Sequence, residues 1–139
     1  MNKKLEKFFS GGFLYNPKTN SVLLHQRDGN TTFNPYAWAF FGGLNEGNES
    51  EKECFKRELL EEVGLDIPLD QVTYLDDYLN TEFNTHRFIY YVVSEVKKED
   101  LKLGEGAGFD WIPISKLSEF KLTEKTERDL KTFSKKVLK

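Results

Sequence analysis

Residues 57–65 read RELLEEVGL, and in this stretch Glu58, Glu61 and Glu62 fall three and four positions apart. On a helix such positions are neighbours, so Glu58 lies beside both of the others. Like charges at that spacing oppose the helix that carries them by roughly a few tenths of a kcal/mol per pair. The chemistry open to the group is that of hard oxygen donors, which hold a divalent cation or orient and deprotonate a water. The bland alternative is a solvated acidic face, the usual meaning of an acidic run. Either the chain tolerates the repulsion, or a cation completes the group.

Charge distribution sharpens the question. Six glutamates (49, 51, 53, 58, 61 and 62) stand against Lys52, Lys56 and Arg57, a local balance of −3 that equals the net charge of the whole chain. One helix therefore carries the entire imbalance, and the rest is neutral. A net negative chain argues against a nucleic-acid polymer held by bulk electrostatics.

The elements that must position these carboxylates follow from turn chemistry and periodicity. Lys7–Tyr15 reads as a strand, NPKTN as a turn, and Ser21–Gln26 as a second strand pairing with the first as a hairpin. Arg27–Pro35 is loop, and Ala37–Phe41 (AWAFF) a strand with Trp38 and Phe40 on one face, where they read as core. The glycine-rich Gly42–Asn48 leads into the acidic helix, which opens on a Ser50/Glu53 capping box and stops at Gly64. Val72–Asn80 and His86–Val96 are strands, the second apolar enough to be central. After a loop at Lys102–Gly108 come a short strand at Phe109–Ile112 and a helical turn at Lys116–Phe120. Lys125–Leu138 closes the chain as a helix with Leu130, Phe133 and Val137 on its apolar stripe and solvated lysines. This pattern is an α/β sandwich without a regular βαβ repeat. The 139 residues, 38% of them hydrophobic, suit one domain with one core. The lone Cys54 has no partner for an internal disulfide, and no leader or apolar span of membrane length is visible, so a reduced, cytoplasmic setting without a membrane is expected.

Counted from Gly43, the spacing is G, five residues, Glu49, seven residues, Arg57-Glu58-Leu59, one residue, Glu61-Glu62, one residue, Gly64-Leu65. This resembles the Nudix box, GX5EX7REUXEEXGU with U aliphatic, at every constrained position. The match covers residues 43–65, about a sixth of the chain. The resemblance implies a single Nudix hydrolase domain over residues 1–139, folded as an α/β/α sandwich with a mixed β-sheet. It also implies an enzyme that uses Mg²⁺ (or Mn²⁺) to hydrolyse a diphosphate linkage in a nucleoside diphosphate joined to a group X.

Roles follow from the same resemblance. Glu58, Glu61 and Glu62, with a backbone carbonyl at Gly42 or Gly43, would ligate the metal. The residue that activates the water would be a box glutamate, Glu58 or Glu61, or Glu105 in the distant GEGAG loop. Arg57 would be structural, its fork pairing with Glu49 to fix the loop on the helix, as Gly43 and Gly64 fix its turns. Arg27, just past the second strand, stands where some relatives keep a phosphate-contacting arginine, and Arg87 is the second candidate for substrate, with His86 beside it. The bland readings remain: an exposed arginine entering a loop, a strand start, a lone exposed Glu105, and for Cys54 a small buried helix residue.

Two departures blur the substrate subclass. Phe41 stands where many relatives have proline, and Asn48 where many have glycine. Tyr78–Glu82 lacks the proline common in ADP-ribose pyrophosphatases, and Phe83 stands near the tyrosine common in diadenosine-polyphosphate hydrolases. The compact length resembles the members that clear nucleoside triphosphates, damaged ones included, releasing the monophosphate. NDP-sugar, ADP-ribose and dinucleoside-polyphosphate hydrolysis are the alternatives, followed by a non-catalytic nucleotide-binding regulator. A monomer or homodimer is expected.

Overall fold

A computed structural model describes residues 7–30, 33–104 and 106–138. Strand β1 (Phe8–Asn16) runs through the middle of a seven-stranded mixed sheet. One of its edges pairs in parallel with β6 (Thr85–Val93), from Phe8↔His86 to Tyr15↔Val93. The other is shared: β4 (Phe41–Leu44) takes Phe9–Gly12 and β2 (Ser21–Gln26) takes Leu14–Asn16, both antiparallel. Beyond Leu23, β2 pairs instead with β3 (Trp38–Ala39), and its opposite edge carries β7 (Gly108–Pro113). Antiparallel β5 (Thr73–Asn80) lies on the far side of β6, which is thus central as its apolar run predicts.

Side chains alternate between two cores. Leu14, Leu23, Phe41, Tyr90 and Val92 pack with Phe55, Leu59 and Val63 of α1 (Glu51–Val63). Phe13, Tyr15, Val22, Leu24 and Ile89 pack with Leu130 and Phe133 of α2 (Glu124–Lys136). Neighbours along a strand face opposite ways, so the helices cover opposite faces and the sheet is buried on both. The α/β/α sandwich with a mixed sheet is the observed architecture.

Several boundaries differ from the sequence reading. Ala37–Phe41 is two strands, because the chain changes partner at Phe40, leaving β2 for β1; the first three residues of the expected Gly42–Asn48 loop therefore belong to β4. β6 ends at Val93, and Val96 instead accepts the Trp111 indole N–H at 3.0 Å. The turn expected at Lys116–Phe120 is a 3-10 helix at Ile114–Glu119. Val137 lies past the end of α2 and is exposed, while Thr126 and Asp129 fill the buried stripe beside Leu130 and Phe133. Two lysines of that helix are engaged: Lys125 pairs with Glu82 at 3.3 Å, and Lys136 donates to the Leu75 carbonyl at 3.1 Å. The caps of α1 follow the sequence reading, with Ser50 and Glu53 forming the reciprocal box and Gly64 at φ 72 closing the helix. No helix among the described residues is long and apolar enough to cross a membrane.

Candidate active site

The acidic helix is held against β4 by close approach. A Cβ on Gly43 would lie 2.4 Å from Glu58 Oε2, and one on Gly42 would lie 2.5 Å from the Ser10 carbonyl oxygen. The paired glycines thus let β4 pass between β1 on one side and the Glu58 carboxylate on the other. The Gly42 N–H donates to Glu62 Oε2 at 3.1 Å.

Arg57 gathers the loop. Its Nε and Nη2 donate to the two oxygens of Glu49 at 2.9 and 2.8 Å, a bidentate fork, and Nη2 also reaches the Leu44 carbonyl at 3.2 Å. Nη1 donates to Glu58 Oε2 and to both oxygens of Glu61, each at 3.2 Å, and lies 3.6 Å from Glu46. The fork holds Glu49 below the ordinary carboxylate range, and the same contacts push Arg57 further up. The repulsion between Glu58 and Glu61 is therefore partly offset within the chain. One guanidinium faces four carboxylates, and the balance stays negative.

The three glutamates do not share one face. At about 100° per residue, Glu61 lies about 60° to one side of Glu58 and Glu62 about 40° to the other. The Glu61 side chain is 53% exposed, Glu58 14% and Glu62 7%. Glu62 turns inward, with Oε1 3.5 Å from His25 Nδ1. Among the described residues no three His, Cys, Asp or Glu side chains are gathered closely enough to hold an ion by themselves. What converges is the pair Glu58 and Glu61. Mg²⁺ is commonly held by one or two carboxylates with substrate phosphates completing its oxygen shell, so an all-oxygen pair beside a glycine-rich backbone fits it. Cys54 is fully buried, with its thiol pushed up to about 12 by desolvation and by Glu49, and is an inert packing residue.

Glu58, Glu62 and Gly42 line one wall of a cleft of about 690 Å³; Glu61 lies outside it. Arg27 and Arg87 line the same cleft, so the structure brings both arginines singled out in the sequence to one place with Glu58. Arg27 donates from Nη2 to the Phe33 carbonyl at 3.3 Å, while its buried Nε has no partner among the described residues. His86 points elsewhere, its ring nitrogen 2.8 Å from Asp77. Glu105 lies outside the described residues. Its neighbour Gly104 donates to the Glu62 carbonyl at 2.7 Å, and a Cβ on Gly106 would lie 2.3 Å from His25 Nε2.

Three residues of the site went unread in the sequence. His25 touches Glu62, and Phe9 carries the Arg87 guanidinium 4.6 Å above its ring. Asp129, fully buried, pairs with Arg87. Only Asp129 had a local signal, an acidic residue within the apolar stripe of an amphipathic helix.

The NUDIX domain family matches residues 10–135 of the chain. The dihydroneopterin triphosphate diphosphatase of Haemophilus influenzae is 28% identical over 134 residues, covering 86% of this chain and 82% of the relative. The 8-oxo-dGTP diphosphatase of Proteus vulgaris is 34% identical over 83 residues, covering 59% of this chain and 71% of the relative. The MutT protein of Methanosarcina mazei superposes with a TM-score of 0.74 at 21% identity, covering 100% of both chains.

Proposed function

The chain belongs to the NUDIX family and is a pyrophosphohydrolase of nucleotide-linked diphosphates, and from that premise we propose that its substrate is a nucleoside triphosphate, cut to the monophosphate and diphosphate. The observation that carries this reading is the convergence of Glu58 and Glu61 on one cationic nitrogen, with Glu58 in a cleft that also holds Arg27 and Arg87. The two curated relatives are each named for splitting a triphosphate, which favours that group over a sugar or a second nucleoside. Exposed Phe33 and Phe83 on the cleft lining suit a planar base.

Glu58 and Glu61, with a backbone carbonyl at Gly42 or Gly43, would hold Mg²⁺ or Mn²⁺, and Glu62 would join them by turning out from its contacts with Gly42 and His25. A divalent ion held there would supply charge neutralisation and Lewis-acid activation at the phosphate. Arg57 keeps Glu58 and Glu61 turned toward one point, and Glu62 ties the glycine strand to the helix through the Gly42 N–H. Arg27, on the cleft lining, offers its guanidinium to a phosphate oxygen. Water attacks phosphorus, the bridging P–O bond breaks, and the proton passes to a carboxylate. Glu58 is the nearer choice because it is enclosed and faces the cleft, and Glu105 is the second. The lone reduced thiol fits a cytoplasmic setting.

Product analysis by mass spectrometry tests the reading. The protein meets nucleoside triphosphates, oxidised dGTP, dihydroneopterin triphosphate, NDP-sugars, ADP-ribose and diadenosine polyphosphates, with Mg²⁺ and then with EDTA. Mg²⁺-dependent release of a monophosphate from a triphosphate is the expected result. Cleavage confined to ADP-ribose, NDP-sugars or dinucleotides overturns the substrate class, and binding without turnover makes the chain a regulator.

A further inference from the structure

Arg87 sits on central β6, buried, with its guanidinium over Phe9 and 5.9 Å from the ring centre of Phe40. Its Nε and Nη2 both meet a single oxygen, Asp129 Oδ2, at 3.2 Å. Asp129 comes from α2 and is 0% exposed. The Tyr78 hydroxyl from β5 lies 3.0 Å from each of its oxygens, and the Arg128 guanidinium covers the Tyr78 ring at 3.7 Å. Three elements thus converge to fix one guanidinium through its Nε and Nη2, leaving Nη1 outside the contact with Asp129, and Arg87 lines the cleft.

Holding α2 on the sheet does not require this arrangement. A buried ion pair is often no more stabilising than apolar residues of the same volume, and Leu130 and Phe133 beside it already supply apolar contact. What the pair adds is direction. Asp129 offsets the charge of Arg87, with the half-exposed Arg128 3.9 Å from its other oxygen, and the N–H groups of Arg87 that Asp129 leaves unused keep a fixed geometry. Such a group suits an uncharged acceptor.

We propose that Asp129, steadied by Tyr78, is a positioning residue that aims Arg87 at a carbonyl oxygen on the base of the bound nucleotide, making the cleft prefer bases that carry one. The assignment rests on the nucleotide reading above, and it adds a specificity determinant remote from the acidic helix.

Calorimetric titration of GMP and AMP in EDTA tests it without turnover, because guanine presents a carbonyl at the ring position where adenine presents an amino group. Wild-type protein is expected to favour GMP by about tenfold, the low end of what an arginine contributes to base discrimination. Asp129→Asn should bring that ratio close to one, and Tyr78→Phe should lower it part of the way. If Asp129→Asn fails to fold, Tyr78→Phe decides. A variant that melts earlier but keeps the wild-type ratio reduces Asp129 to a structural role and overturns the proposal, as does a wild type that binds the two alike or binds neither. Wild-type preference for GMP with no hydrolysis of any triphosphate would sink the enzymatic reading while leaving the positioning role standing.

Discussion

Two arginines in this molecule are each held by a carboxylate, and they do opposite things with it. Arg57 forks onto Glu49 eight residues away and then faces Glu46, Glu58 and Glu61 as well, at the protein surface. Arg87 meets Asp129 across 42 residues of chain, and the pair is balanced and buried. In the first region one cation is surrounded by more negative charge than it can cancel, which leaves an unmet demand that a divalent ion can satisfy. In the second the buried guanidinium meets its own carboxylate, with Arg128 3.9 Å away at the half-exposed rim, and what is left over at Arg87 is chiefly orientation. Surplus charge marks where a ligand's charge is wanted, and offset charge marks where geometry is wanted.

The largest expected effect lies in the surplus region. Glu58→Gln removes one of the two converging carboxylates and should lower turnover by about four orders of magnitude, about 5 kcal/mol at the transition state. Its melting temperature should barely move, because Arg57 keeps Glu49 and Glu61. Gly43→Ala is the companion, since its new Cβ would displace the Glu58 carboxylate while leaving backbone room; turnover should fall with the fold intact. Wild-type kinetics in both would remove the acidic pair from the chemistry and erase the contrast with Arg87.

Stability should show the reverse order. Arg87→Leu strands a fully buried carboxylate and should cost about 3–5 kcal/mol in denaturant unfolding, while Arg87→Leu with Asp129→Leu should recover most of that loss. A double variant as unstable as the single one would mean that the pair holds the fold and is not simply balanced.

The smallest effect is a difference in sign with pH. Arg57 depresses Glu49, so its stabilising contribution is complete above the unfolded value of 4.5 and is lost as pH falls through the folded value. Burial raises Asp129 from 3.8 against the opposing pull of Arg87, so the folded chain keeps a proton that the unfolded chain has released. Its contribution therefore declines as pH rises through that window. Glu49→Gln should flatten the acid limb of stability against pH, and Asp129→Asn should steepen it. Slopes that change in the same direction would contradict the two assignments.

How much of this was legible in the chain depends on sequence distance. The capping box at Ser50 and Glu53, the stop at Gly64 and the Arg57–Glu49 pairing could all be read because each is made within nine residues, where helix and turn geometry set the neighbours. The inward turn of Glu62 was not read, because spacing alone put all three glutamates on one side while β4 decides which side of α1 is buried. The partner change at Phe40 was hidden for a similar reason: AWAFF looks like one strand, and only the divergence of β1 and β2 splits it. Arg87 could be singled out, but its carboxylate could not be found.

By itself the sequence determined the local devices: the register of the box residues on α1, the caps that bound the helix, and the local charge surplus that asks for a cation. Those follow from contacts between residues close in the chain, which 3.6-residue periodicity and backbone sterics dictate. Only the tertiary structure decided that β1 and β6 run parallel, that Arg27 and Arg87 share a cleft with Glu58, and that Asp129 reaches back to Arg87. Contacts between distant segments depend on how two helices bury opposite faces of one sheet, and no local spacing records that choice.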